Sequence, residues 1–349
     1  MLRALLYGCG LTGLLAFSDP ASASAGRTFV STAGSDANSA SNCAPTTPCR
    51  TFGAALAVTN VGGEVVVLDS GGYGLMTITQ SVSIVIPSGI EGAISVPPGN
   101  AGVVINAPGA QVILRGLSIS GTSPPGSASG TSTLGIDVVS AGTVAVQDAT
   151  LVGLSYGVYD GSSGSIEITR SAARGGIIGF RLVPTSGTLV AVIADSVAAS
   201  NISDGIDAFN NVMLRVDGSL VSMNEGYGVY VQTTIAGATT QAGIANSRLV
   251  GNTSGSVYIG DISGANNANS KTGGVLKSNY LSMGAYCVNV AGAASVGLVD
   301  NVMDNCGTDV NVAATAYAAS TGNNILGGAT KTNIGGTINA PLPISAPLY

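Results

Sequence analysis

Six residues, one per repeat of the chain, carry the side chains that could grip a polymer: Asp137, Tyr159, Arg181, Asp207, Tyr230 and Tyr258. Each stands in the same short phrase, Gly135-Ile136-Asp137-Val138, Gly157-Val158-Tyr159-Asp160, Gly179-Phe180-Arg181-Leu182, Gly205-Ile206-Asp207-Ala208, Gly228-Val229-Tyr230-Val231 and Ser256-Val257-Tyr258-Ile259. Side chains alternate between the two faces of a strand. Ile136, Val138, Val158, Phe180, Leu182, Ile206, Val229 and Val231 therefore face inward, and the residue between each apolar pair faces out. If successive phrases are parallel neighbours about 4.8 Å apart, the six form one straight row, continued by Asn289 and Asn311. Tyrosines offer planar rings for sugar faces. Arg181 can take a carboxylate bidentately. Asp207, one repeat away, can orient that group or hold a cation. The plain alternative is a solvated outer face, with Arg181 and Asp207 as a surface ion pair worth little.

The same residues are the candidates for catalysis: Arg181 and Asp207, with Tyr230 or Tyr159 as base. Glycoside hydrolysis needs two carboxyls roughly 5–10 Å apart. Asp204 lies close to Asp207 in sequence and Asp160 close to the Arg181 repeat, but they form no catalytic motif. Asp300, Asp304 and Asp309 raise calcium as a cofactor. Their spacing lacks the glycine and closing glutamate of an EF-hand loop, so turn and surface roles suit them better.

The row needs a scaffold that repeats. The glycines from Gly135 to Gly228 recur at intervals of 22, 22, 26 and 23 residues. Short alternating strands at such a period, with no helical pattern, are the mark of a solenoid. A second column, Asp148, Asp195, Asp217, Asn246, Asn279, Asn301 and Asn323, reads as a polar ladder inside a turn, where Asn and Asp tolerate left-handed backbone. Charged residues are 9% of the 349, against about 25% in ordinary domains. Hydrophobic residues reach 45% and glycine numbers 51, a composition suited to tightly stacked strands. The net charge is −6 and Lys/Arg are nowhere clustered, which argues against nucleic acid as a partner.

The first 25 residues read as a secretory signal: Arg3, an apolar stretch to Phe17, and Ala23-Ser24-Ala25 as the cleavage site. No later run approaches the ~18 apolar residues of a membrane span. Export sets an oxidising compartment for the four cysteines that follow. Cys43 and Cys49 flank a tight loop that a disulfide could close. Cys287 and Cys306 are 19 apart, close to one repeat, and could meet where repeats stack; buried thiols are the alternative for both pairs. Phe52 to Thr59 has helical spacing and reads as a short amphipathic helix.

Phe29-Val30-Ser31, Gly34-Ser35-Asp36, Pro48-Cys49-Arg50-Thr51-Phe52, Ala54-Ala55, Gly63-Glu64-Val65-Val66-Val67 and Gly72-Tyr73 together resemble the N-terminal cap of secreted bacterial right-handed parallel β-helix proteins of the pectin-lyase-like fold. The resemblance implies an all-β, single-stranded, right-handed parallel β-helix of about 10–11 coils with a short N-terminal capping helix. It implies a signal peptide at 1–25, a cap at 26–63, the β-helix at 64–329 and a C-terminal cap or tail at 330–349. That fold carries many activities, so it transmits architecture better than function. Polygalacturonases of the fold need a His, and this chain has none. Its pectate lyases need several calcium-binding carboxylates and an Arg base. Arg170, Arg174 and Arg181 are present, but only Asp160 and Asp207 accompany them. The sequence thus leads to an exported β-helix that binds an extracellular polysaccharide along Asp137–Tyr258 without cleaving it, or serves as a surface or matrix module. A polysaccharide lyase or hydrolase, or a purely structural rod that contacts another protein, are the alternatives.

Overall fold

The computed structural model describes residues 25–124, 132–263, 271–321, 323–334 and 337–339. Each turn of the chain lays down three short strands, one in each of three parallel sheets. One coil illustrates it: Leu134–Ser140, then Thr143–Gln147, then Thr150–Val152. Each strand pairs in parallel with its counterpart one coil on. The sheets contain 11, 13 and 11 strands in that order, here sheets 1, 2 and 3. The product is a right-handed parallel β-helix.

The interior is a stack of aliphatic side chains. Ile136, Val158, Phe180, Ile206, Val229, Val257, Val288 and Val310 follow one another up sheet 1, all fully buried. The recurring glycine that precedes them has a steric cause. A Cβ on Gly157 would lie 2.6 Å from the Gly179 carbonyl oxygen, and one on Gly179 2.6 Å from that of Gly205. Later coils relax this: the column continues as Ser256, Cys287 and Asp309, each buried. Gly255 is not in the column, because it pairs with Tyr227.

The expected turn column divides in two. Asp148, Asp195 and Asn246 take left-handed backbone at the turn between sheets 2 and 3, whereas Asp217 precedes the turn residue Gly218. The buried ladder runs one residue later, through Ser171, Ser196, Ser219, Ser247, Asn279, Asn301 and Asn324, each backbone N–H donating to the side-chain oxygen of the next rung. Asn323 is thus replaced by Asn324 as the last rung. A second ladder, Asn201–Asn224–Asn252, lies in the turn before sheet 1, with amide-to-amide bonds of 2.8 Å.

Both disulfides are formed, with Cα–Cα distances of 5.0 Å for Cys43–Cys49 and 5.6 Å for Cys287–Cys306. The N-terminal helix is shorter than its apolar pattern suggests, Phe52–Leu56. Thr51 caps it by accepting from the Ala54 N–H, and Thr59 Oγ1 returns to the Ala55 carbonyl where the next strand begins. The leader, apart from Ala25, the tip of the Ser120–Thr133 loop, most of the Gly264–Lys271 insertion and the tail from 340 lie outside the described residues. No described helix is long and apolar enough to cross a membrane.

Candidate functional site

Strand pairing places the six candidates in one register: Asp137 beside Tyr159, Tyr159 beside Arg181, Arg181 beside Asp207, Asp207 beside Tyr230, and Tyr230 beside Tyr258. Asn289 and Asn311 continue the row. All lie on the outer face of sheet 1.

At its centre, Arg181 Nη1 donates to Asp207 Oδ2 at 2.9 Å. The guanidinium is held between two rings, 5.2 Å from the centroid of Tyr156 and 5.3 Å from that of Phe209. Desolvation strengthens such cation–π contacts. Asp207 points outward yet is only 1% exposed. It is therefore no surface ion pair but a carboxyl roofed by its neighbours. Its Oδ1 has no hydrogen-bond donor. Burial pushes its titration well above the usual carboxylate range, and the nearby Asp204 carboxyl pushes the same way. Asp204 itself accepts from the Tyr227 N–H at 2.6 Å and the Ser203 hydroxyl at 3.0 Å.

The tyrosines pack on one another. Tyr230 and Tyr258 are stacked, with centroids 4.5 Å apart and planes 7° apart, and Tyr227 lies against both. Their facing ring surfaces are thereby occupied, so this part of the row offers hydroxyls and ring edges rather than open platforms. Burial raises the Tyr230 phenol above its ordinary value, away from tyrosinate. Asn289 donates to the Tyr227 hydroxyl at 2.8 Å, and Asn311 donates to Asn289 at 2.8 Å. Tyr159 leans toward Gly161 and Tyr258 over Gly260, where a Cβ would meet its ring at 2.4 Å. Towards the N-terminal end, a cleft of about 320 Å³ opens between Tyr156, Tyr159, Arg181, Ser132 and Leu134.

Several residues central to this arrangement are absent from the six. Tyr156 and Tyr227 stand three positions before the row, and Phe209 two after it. The repeated Tyr-Gly-Val-Tyr at Tyr156–Tyr159 and Tyr227–Tyr230 is the signal that carries two of them. Other candidates do not join. Asp160 occupies an inward position between Val138 and Leu182, so it faces the core and cannot accompany Arg181. Arg170 bonds Asp148 at the turn between sheets 2 and 3, and Arg174 ends a strand of sheet 3. Asp300, Asp304 and Asp309 do not converge: Asp300 has left-handed backbone, Asp304 ends a strand of sheet 3 and Asp309 is buried in sheet 1. Asp309 lies near Cys287 and Cys306, whose sulfurs are joined and are not thiolate ligands.

No family model and no curated relative matches the sequence. Solved structures do resemble the fold. An alginate lyase from Paenibacillus sp. superposes with TM-score 0.59 at 14% identity, over 82% of this chain and 98% of its own. A pectate lyase gives 0.56 at 13%, over 90% and 78%. The A-module of an Azotobacter vinelandii mannuronan C-5 epimerase gives 0.55 at 14%, over 80% and 81%. At these identities the likeness establishes the architecture and leaves activity open.

Proposed function

We propose that this chain is an exported β-helix that binds an extended polysaccharide along the outer face of sheet 1, without cleaving it. The observation that carries this is the in-register row from Asp137 to Asn311, which sets rings, hydroxyls, amides and one guanidinium at about 4.8 Å steps. A linear polymer of repeating units is the ligand such a periodic surface fits. The named activities of its structural neighbours, on alginate, pectate and mannuronan, support the ligand class. Two closed disulfides support an oxidising compartment.

Binding is favoured over turnover by the state of the reactive groups. A base at Tyr230 would need its phenol lowered, and burial raises it. Arg181 is engaged with Asp207 and enclosed by rings. One observation supports a second, catalytic reading: burial and the neighbouring Asp204 carboxyl push Asp207 well above the usual carboxylate range, the direction in which general acids are shifted.

The test is calorimetric titration of the protein with a panel of uronic and neutral polysaccharides, with ultraviolet monitoring for unsaturated ends and reducing-sugar assay for hydrolysis. Binding without product is expected, with Arg181→Ala and Tyr230→Ala together weakening it about tenfold or more. Product formation abolished by Asp207→Asn would establish the catalytic reading instead. No binding across the panel would leave the protein-contacting rod.

A further inference from the structure

The charges along sheet 1 narrow the kind of polymer it can take. On its strands from Met76–Ile78 to Thr308–Val312, Arg181 is the one cation among the described residues. The other described cations between 64 and 329 lie on sheets 2 and 3 or in the turn between them. Acidic side chains, by contrast, surround the row. Asp137 and Asp207 stand in it, Asp204 lies against Asp207, and Glu225 is exposed at the turn that leads into Tyr227. Whether Asp207 carries a charge or a proton, acidic groups outnumber the guanidinium.

Arg181 is also matched within the protein. Its Nη1 donates to Asp207 Oδ2 at 2.9 Å, and the Tyr156 and Phe209 rings lie over the guanidinium. From Tyr227 onward the face offers phenol hydroxyls and amides, which bond sugar hydroxyls without charge: Tyr227, Tyr230, Tyr258, Asn289 and Asn311. A polymer with a carboxylate on every residue, laid along this row, has to set some of them beside Asp137, Asp204 and Asp207. Like charges so juxtaposed exclude a partner.

We propose that sheet 1 selects an uncharged polysaccharide, a neutral hexose or pentose polymer, and excludes polyuronates through Asp137, Asp204 and Glu225. This rests on the reading of sheet 1 as a polysaccharide surface. Arg181 then positions the rings of Tyr156 and Phe209 and does not read a ligand carboxylate. The ligand departs in charge from alginate, pectate and mannuronan, the polymers named for the structural neighbours.

The test is calorimetric titration of the full chain with alginate and polygalacturonate, each beside its carboxyl-reduced form, and with galactan, xylan and glucomannan. The reduced pairs separate charge from linkage. At low salt the tightest neutral polymer is expected to bind at least about tenfold more tightly than either polyuronate. Added salt should strengthen any residual polyuronate binding, because screening weakens repulsion, and leave neutral binding unchanged. A polyuronate that binds as tightly as the tightest neutral polymer, or whose affinity falls with salt, overturns the proposal and leaves the polysaccharide surface standing. No binding by any polymer overturns both. Asp137→Asn combined with Glu225→Gln is expected to narrow the gap severalfold. An unchanged gap in the folded variant would overturn the role given to these two residues.

Discussion

Asp160 gives the molecule a pH dependence that can be worked out from its surroundings. Its side chain enters the core stack between Val138 and Leu182, and the residue is 0% exposed. Oδ1 accepts the Ser162 N–H at 2.8 Å, and Oδ2 has no donor. Burial, aided by the Asp137 charge, pushes the carboxyl from 3.8 up to about 6. Between those values the native state holds a proton that the unfolded chain has released. Stability is therefore full below about pH 4, falls as the pH rises through 6, and is flat above. A shift of roughly two units corresponds to about 3 kcal/mol. Asp160→Asn removes the titration while keeping an oxygen for the Ser162 N–H. Its absolute stability is a poor guide, since the new amide N–H₂ is itself buried. The decisive quantity is the change between pH 4 and pH 8, measured by urea denaturation followed by circular dichroism. Asp207 is also raised and contributes to that change in both proteins. We expect the wild type to lose about 3 kcal/mol more than Asp160→Asn over this interval. Equal losses would refute the reasoning and mean that Asp160 is solvated or paired in solution.

Three further perturbations probe the scaffold. Gly205→Val should destabilise by about 3 kcal/mol or more, read as a lowered melting temperature, because a Cβ there would lie 2.5 Å from Val221 Cγ1 and 2.7 Å from the Gly228 carbonyl oxygen. Gly243→Ala, facing open space, should change stability by less than about 0.5 kcal/mol. Replacing Cys287 and Cys306 together by alanine should cost about 3 kcal/mol by loop closure, given their separation of 19 residues; denaturation midpoints equal to wild type would show that coil stacking alone holds this turn.

The architecture was legible because it repeats. A glycine forced by a neighbouring carbonyl in coil after coil, followed by an apolar-polar-apolar triplet, leaves a period and a face assignment in the sequence. The row was legible for the same reason: Asp137 to Tyr258 needs only the alternation of a strand. What surrounds the row was not. Phe209 and Tyr156 close over Arg181 from positions off the row; the repeated Tyr-Gly-Val-Tyr marks Tyr156, but nothing in the local pattern around Phe209 announces a contact one coil away. Burial of Asp207 is likewise a property of the assembled roof, since its phrase Gly205-Ile206-Asp207-Ala208 reads like that of the half-buried Asp137. The turn column held at Asn279 and Asn301 and missed the ladder by one or two residues elsewhere, because the left-handed position and the ladder position are adjacent and both accept Asn or Ser. Asp160 was misplaced beside Arg181, although its step from Tyr159 puts it at an inward position of its strand, where the alternation calls for an aliphatic side chain.

The scaffold and the row obey different rules, and that contrast is the argument for the proposed site. Inward positions of sheet 1 are close to interchangeable, Ile136, Val158, Phe180, Ile206, Val229, Val257, Val288 and Val310, as packing alone requires. The outward positions change chemistry along the row: Asp, Tyr, Arg, Asp, Tyr, Tyr, Asn, Asn. Solubility alone would be met by any polar residue there, and it would favour charge left in water. Instead the one cation is enclosed by two rings and its carboxylate partner is buried. Of the 11 tyrosines in the chain, Tyr156, Tyr159, Tyr227, Tyr230, Tyr258 and Tyr286 fall on strands of this one sheet. Rings and desolvated carboxyls are costly to display on a rod that has only to stay soluble. Their concentration on one of three faces, at consecutive coils, is the arrangement expected where a ligand, rather than solvent, selected the residues.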